Sequence, residues 1–166
     1  IHALCGENGA GKSTLMKVLS GVYPYGTYTG KIIINDEEVQ FNDIKASQEA
    51  GVAIIYQELA LVPEMTVAEN IFLGSNLMRN KIIDWEKLYS ESMKWLELMG
   101  LDIDPQTRLK DLTVGKQQLI EIAKALTQNA NILILDEPTS ALTESEAELL
   151  FEILNQLKTQ GVSRIY

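Results

Sequence analysis

Near its start the chain reads Gly6-Glu7-Asn8-Gly9-Ala10-Gly11-Lys12-Ser13-Thr14. This stretch matches the pattern Gly-x4-Gly-Lys-Ser/Thr and lies between a short apolar run and a helical pattern. Because glycine lacks a Cβ atom, the backbone there can adopt positive φ and turn its N–H groups toward phosphate oxygens. The stretch therefore predicts a loop, here called the phosphate loop (residues 6–14), that binds the triphosphate of a nucleotide.

The flanks of the phosphate loop support this interpretation. Residues 1–5 predict a short buried strand, with Cys5 as a small buried side chain and His2 at the strand edge, and residues 12–20 predict a helix. The N-terminus of such a helix presents unpaired amides and a positive dipole end to an anion. Lys12 is expected to reach the β- and γ-phosphates, and Ser13 to ligate magnesium. A glycine-rich turn without a ligand is the alternative.

A second group of chemically active residues follows an apolar run at residues 132–135, which predicts a fully buried strand. Asp136 and Glu137 come directly after it, at the end of the strand where ligands gather in open α/β sheets. Asp136 is expected to hold magnesium, directly or through water, and Glu137 to orient or deprotonate the attacking water. Two solvated acids that begin a turn before Pro138 are the alternative.

Two further positions are ambiguous when taken alone. Gln57 follows a predicted buried strand at residues 52–56 and could contact both magnesium and the attacking water, or could be merely a polar strand end. Residues 112–118 precede a helical run at residues 119–126. Thr113, the Gly115 amide and the helix N-terminus could bind an anion, or could form an ordinary helix cap. An anion there would belong to a nucleotide on a second, facing domain.

Strands that alternate with helices predict an α/β fold with a largely parallel sheet. Residues 31–41 predict a hairpin around Asn35-Asp36, and residues 59–126 show no clear strand and predict a helical insertion. Thr143 and Glu146 have the spacing of a capping box for a following helix. The chain begins within one predicted strand and ends within another, so we expect it to be a piece of a larger protein.

Composition restricts the class of partner. The chain has 166 residues, with 14 Lys and Arg against 23 Asp and Glu, a formal charge of −9. No basic stripe is visible, which argues against nucleic acid as a partner. A single cysteine cannot form an internal disulfide and suits a reducing compartment. No apolar run is long enough to span a bilayer, so any membrane association is expected to be through another protein.

Taken together, the order of these motifs resembles the ATP-binding domain of ABC transporters. Residues 6–30, 53–74 and 114–126 are more closely similar to the ATP-binding subunit of bacterial monosaccharide importers of the xylose or multiple-sugar type. The resemblance covers essentially the whole chain. It implies a P-loop NTPase fold with a RecA-like core (residues 1–58 and 127–166) and an inserted helical subdomain (about residues 59–126).

The resemblance also implies roles for single residues. Residues 6–14 correspond to the Walker A loop, Gln57 to the Q-loop glutamine, Asp136 to the Walker B aspartate and Glu137 to the catalytic glutamate. Residues 112–116 correspond to the signature segment and residues 140–143 to the D-loop. The signature reads LTVGK where LSGGQ is common, and Thr143 replaces the usual Asp. The switch histidine and the adenine-stacking aromatic are expected beyond the two ends of this chain.

The function so implied is ATP hydrolysis with Mg²⁺ that powers monosaccharide import, with D-xylose as the expected sugar. The implied partners are a second ATP-binding domain paired head to tail, membrane permease subunits and a periplasmic or extracellular sugar-binding protein. The protein would then be peripheral, at the cytoplasmic face of the cell membrane. A soluble ABC-type ATPase not coupled to transport and a regulatory nucleotide-binding module with degenerate hydrolysis are the alternatives.

Overall fold

The computed structural model describes residues 2–7, 9–56, 59–74, 78–79, 82–128, 130–136, 138–139, 142–159 and 163–165. The helices are Lys12–Leu19 (α1), Ile44–Glu49 (α2), Val67–Ile71 (α3), Trp85–Leu98 (α4), Val114–Thr127 (α5) and Glu144–Thr159 (α6). The strands are Ile32–Ile34 (β1), Glu37–Val39 (β2), Val52–Ile55 (β3), Met78–Arg79 (β4), Ile82–Ile83 (β5), Ile132–Leu135 (β6) and Ser163–Ile165 (β7).

The central sheet is parallel, with the strand order β3-β6-β7. Val52 lies opposite Ile132 and Ile55 opposite Leu135, so β3 and β6 end at the same level. Helices connect these strands, because parallel neighbours need a crossover connection. The predicted α/β fold with a parallel sheet is confirmed.

Both faces of the sheet are covered, which explains why its strands are continuously apolar. On one face Val52 and Ile134 pack with Met16 of α1 and with Phe41. On the other face the alternate residues of the same strands join the larger core, formed with α3, α4, α5 and α6; these residues are Ala53, Ile55, Leu133 and Leu135. Burial of one such large side chain contributes about 1.5–3 kcal/mol.

The hairpin predicted around Asn35-Asp36 is confirmed. Strands β1 and β2 pair antiparallel, with Ile34 opposite Glu37. Asn35 has φ 52° and Asp36 has φ 65°, the left-handed conformations of a two-residue type I′ turn. Asn and Asp tolerate this region better than other residues with a Cβ atom, because their short side chains can bond locally to the backbone.

The stretch from 59 to 126 is mainly helical, as predicted, but the expectation that it contains no strand is wrong. Strands β4 and β5 pair antiparallel in a minimal hairpin, with Arg79 opposite Ile82. Each strand has only two residues, too few for an alternating pattern to be visible in the sequence. The division of the chain into a RecA-like core and a helical subdomain stays a prediction.

The segment before the phosphate loop differs from the expectation. His2 forms one isolated parallel bridge to Ile165, and residues 3–5 form no ladder; Ile1 lies outside the described residues. Cys5 is exposed, so its predicted burial is wrong. One bridge at the outer edge of β7 leaves these side chains without a second strand beside them in the described part of the chain.

Local capping explains two other differences. The unpredicted helix α2 begins where the Asp43 side chain accepts a hydrogen bond from the Ala46 N–H at 2.7 Å. Helix α5 begins at Val114 rather than near residue 119, because the Thr113 hydroxyl caps the Lys116 N–H. Among the described residues, no helix combines the length and apolarity that crossing a bilayer requires.

Candidate nucleotide site

The phosphate loop has the backbone conformation that its glycines predict. Gly9 has φ 88° and Gly11 has φ 92°, and a Cβ atom built on either would meet nothing within 4 Å. Within the loop the Ala10 N–H donates to the Glu7 carbonyl at 3.1 Å. The space in front of both glycines is therefore open to a ligand. Asn8 lies outside the described residues.

The Lys12 side chain is bonded to the backbone of the phosphate loop. Its ammonium group donates to the Gly6 carbonyl at 2.6 Å and to the Glu7 carbonyl at 3.2 Å. A Lys ammonium has three donors and no acceptor, so one proton remains for a further oxygen. A phosphate would therefore meet a cation whose position is already fixed by the loop.

Helix α1 starts directly from the phosphate loop, and its N-terminus is suited to bind an anion. Its N-cap, Gly11, carries no side-chain cap, and its first turn holds no acidic residue. Ser13 and Thr14 are exposed in that turn. The first N–H groups of a helix have no intrahelical partner, and the positive dipole end lies there. These amides and the two hydroxyls can donate to one anion at the mouth of the loop.

Asp136 lies at the carboxyl edge of the sheet, as its position after β6 predicts. Its backbone N–H donates to the Ile55 carbonyl at 2.9 Å, and the residue is half-buried. The last residues of β3 and β6 therefore bring Asp136 beside the strand that leads to Gln57. Gln57 and Glu137 themselves lie outside the described residues, as do Ser140 and Ala141 of the D-loop segment.

The start of α5 is tied to the start of α6 by one carboxylate. The Thr113 hydroxyl donates to Glu146 Oε1 at 3.0 Å, while the Thr143 N–H and hydroxyl donate to Glu146 Oε2 at 3.0 and 2.9 Å. Gly115 is buried, and a Cβ atom added there would collide with the Glu146 carboxylate. Thr113 and Gly115 are thus brought together around an anion that belongs to the same chain.

The electrostatics of Glu146 fit this arrangement. The Thr143 backbone N–H and hydroxyl hold the pKa of Glu146 below its usual range, and Thr113 and the charge of Lys116 add to the effect. Hydrogen bonds to the ionised form favour that form. The predicted capping box of Thr143 and Glu146 is confirmed, but its further contact with Thr113 was not predicted. A capping box is a local pattern, whereas Thr113 is 33 residues away.

Glu121 is a buried acid that the sequence motifs did not single out. It is 5% exposed, on a helix face between Ile120 and Ile122. Its Oε1 accepts from the Ala60 N–H at 3.0 Å. Burial raises the pKa of Glu121, while the Ala60 N–H and the Lys124 charge oppose the shift. A carboxylate inside an otherwise apolar helical pattern is the only local signal that could have drawn attention to it.

Groups that could hold a metal are few in the described part of the chain. The residues described contain no cluster of three or more His, Cys, Asp or Glu side chains that could bind a metal ion. A cation at the phosphate loop would depend on a hydroxyl such as that of Ser13, on Asp136 and on the ligand's own oxygens. Hard oxygens of this kind suit Mg²⁺, which commonly keeps few protein ligands beside a phosphate.

Known proteins share both the sequence and the fold. A xylose import ATP-binding protein of Geobacillus kaustophilus is 71% identical over all of this chain. An L-arabinose transport ATP-binding protein of Geobacillus stearothermophilus is 56% identical over 99% of the chain. The chain spans about a third of the length of these curated relatives, 33% and 32% respectively.

A solved dimeric ATP-binding cassette, in a post-hydrolysis state with ADP and Pi, superposes with a TM-score of 0.80 at 22% identity. The match covers 99% of this chain and 72% of that one, and it shows the fold alone. The family described as ABC transporter matches residues 1–140. The chain has a phosphate loop that runs into a helix without a side-chain cap, and an acid at the end of a buried parallel strand. On these grounds the chain belongs to the ABC transporter family.

Proposed function

We propose that this chain is the nucleotide-binding part of an importer ATPase that binds ATP with Mg²⁺ and hydrolyses ATP to power monosaccharide uptake. The observation that carries the proposal is the phosphate loop, with Gly9 and Gly11 in the left-handed region and open space in front of them. Helix α1, which begins at the end of this loop, has no side-chain cap, and the Lys12 ammonium group is held by the Gly6 carbonyl of the same loop. Such a cradle suits an anion with several oxygens.

The proposed roles follow the chemistry of each side chain. The backbone of residues 6–14 and Lys12 would bind the phosphates, and Ser13, Gln57 and Asp136 would hold the magnesium. The metal would neutralise charge on the phosphate oxygens. Glu137 orients the attacking water and accepts its proton as the bond to the γ-phosphorus forms and the β–γ bridge breaks. Gln57 contacts the same water.

The complete protein is proposed to work as a pair of ATP-binding domains. Thr113 and Gly115 of one domain would face the nucleotide of the other in a head-to-tail arrangement. The stretch of residues 59–126 would form a helical subdomain beside a core of residues 1–58 and 127–166. Membrane permease subunits and a sugar-binding protein would be the other partners, with the ATPase peripheral at the cytoplasmic face of the cell membrane.

The hydrolytic role is tested by Glu137→Gln in the full-length protein. We expect the variant to bind ATP normally while hydrolysis collapses, because an amide cannot take the proton from water. Glu152→Gln, an exposed position on α6, is the matched control and should leave turnover unchanged. Undiminished hydrolysis by the Glu137 variant would remove that residue from its role.

The identity of the transported sugar is tested by measuring uptake rather than ATP hydrolysis. We propose D-xylose as the substrate, supported by the name of the relative at 71% identity. A host that lacks its own xylose and arabinose importers would receive the full-length protein with its permease and binding protein. Uptake of labelled xylose, and not of arabinose, is expected. Uptake of arabinose alone would place the protein with the other group of relatives.

A further inference from the structure

Two side chains of helix α5 are hydrogen-bonded to the backbone of Ala60, three positions after Gln57. Glu121 Oε1 accepts from the Ala60 N–H at 3.0 Å, and Lys124 Nζ donates to the Ala60 carbonyl at 3.0 Å. The two side chains are three positions apart, so they project from the same face of α5. Both polar groups of Ala60 are therefore satisfied by one helix, in a pair of contacts here called the Ala60 clamp (Glu121 and Lys124).

Packing does not explain why Ala60 is held. Ala60 is exposed, and with Glu121 and Lys124 it lines a cleft of about 330 Å³ beside β3. A small side chain at the wall of a cleft has few apolar contacts to fix it, so the two hydrogen bonds are what keep the chain on α5. The second oxygen of Glu121 is buried and has no partner among the described residues. A buried acceptor left unpaired is unfavourable, so the second oxygen of Glu121 costs stability at this position and packing alone does not favour a carboxylate there.

The next anchor along the chain is made by a different helix. Asn70 of α3, which is fully buried, accepts from the Val62 N–H at 2.8 Å and donates to the Val62 carbonyl at 3.0 Å. Ala60 is thus the first described point after Gln57 at which the chain is bonded to a helix. Ala60 is three positions after Gln57 and Val62 is five, and three residues span at most about 10 Å and five about 17 Å. Without the Ala60 clamp, the first bonded point after Gln57 would therefore lie farther along the chain, and Gln57 would be less restricted.

We propose that Glu121 and Lys124 are positioning residues that bind the chain after Gln57 to helix α5, so that displacement of the Thr113–Gly115 end of α5 is passed to Gln57. The proposal rests on the proposed function, in which both ends of this connection contact nucleotide. A rigid helix is suited to the task because it moves as one body. Coupling between sites can be carried by such a physical element, which here is α5 with its two side chains on the backbone of one residue, Ala60.

The direct test is hydrogen exchange at the Ala60 amide in the full-length protein. Glu121→Ala is expected to accelerate exchange there, while the Val62 amide, held by Asn70, keeps its protection. Glu121→Gln retains an oxygen acceptor and should keep Ala60 protected. Unchanged exchange at Ala60 in Glu121→Ala would overturn the clamp, and this result does not depend on whether the protein hydrolyses ATP.

The functional test is ATP hydrolysis by the same variants. Glu121→Ala and Lys124→Met are expected to lower kcat by about 2- to 30-fold, the range seen when coupling is disturbed, with KM for ATP unchanged. Glu121→Gln should recover most of the activity. Glu97→Ala, at an exposed position on α4, is the control for charge loss, and Leu96→Ala, fully buried on the same helix, is the control for lost stability.

The two tests separate the possible failures. A lower melting temperature in Glu121→Ala with unchanged kcat would reduce the clamp to a structural contact and overturn the proposal. Failure of Glu121→Gln to rescue kcat would overturn the role of the acceptor oxygen. If the unmodified protein hydrolyses no ATP, the proposed function falls with the coupling to Gln57, although exchange at Ala60 would still report the contact.

Discussion

Gly115→Ala probes the contact between the starts of α5 and α6. A methyl group at Gly115 would collide with the Glu146 carboxylate, which is the far end of a flexible side chain. We therefore expect Glu146 to turn away while the backbone of α5 stays in place. That movement removes the bonds from Glu146 to Thr113 and Thr143, and with them the capping box of α6.

The magnitude is the difference between two terms. Alanine is favoured over glycine within a helix by up to about 1 kcal/mol, and the gain is smaller in the first turn. Loss of a helix cap costs about 0.5–2 kcal/mol. With a gain of a few tenths of a kcal/mol in the first turn, the single substitution is therefore expected to lower the free energy of unfolding by up to about 1.5 kcal/mol. In a Glu146→Ala background the contacts of the carboxylate are already lost, so Gly115→Ala should instead stabilise the chain by a few tenths of a kcal/mol, up to about 1 kcal/mol.

Urea denaturation of the parent, both single variants and the double variant measures this change of sign. Glu69 forms the same kind of capping box with Thr66 at α3, so Glu69→Ala is the matched control and should show no coupling to Gly115→Ala. Equal destabilisation by Gly115→Ala in the presence and absence of Glu146 would refute the reasoning. The strain would then lie in the α5 backbone and not in the carboxylate contact.

Three further outcomes are expected. Leu133→Ala, at a fully buried position on β6, should lower the free energy of unfolding by about 2–5 kcal/mol in urea titrations, because the sheet is covered on both faces. Glu121→Gln should raise stability relative to the parent more at neutral pH than at acid pH. The pKa of Glu121 in the folded state lies above its ordinary 4.5, so the ionised carboxylate destabilises the fold at pH values above that raised pKa. Below the ordinary value the group is protonated in both states and this difference disappears. A stability difference from the parent that does not change with pH would contradict this. Asp36→Gly should stabilise the β1–β2 hairpin by up to about 1 kcal/mol, measured by thermal unfolding, because Asp36 has φ 65°; a loss of stability would show that the Asp36 side chain contributes more than its backbone strain costs.

Local patterns predicted much of the fold because the forces behind them act over a few residues. The continuous apolar runs of β3 and β6 indicated strands buried on both faces, and the structure places α1 on one face and α5 on the other. The turn at Asn35-Asp36 followed from the left-handed preference of those residues. Short elements were missed for the converse reason: α2 has six residues and β4 two, which is too few for periodicity to be read.

The chain's sequence alone determined the phosphate loop, the acid after β6, the capping box at α6 and the family to which these motifs point. Each depends on residues close together in the sequence, whose conformational preferences and hydrogen bonds are set locally. Only the tertiary structure decided that Glu146 meets Thr113, that Glu121 and Lys124 hold Ala60, and that Cys5 is exposed. The two contacts join segments far apart in sequence, and the exposure of Cys5 depends on which strands lie beside it. All three follow from how helices and strands pack together, which no local pattern encodes.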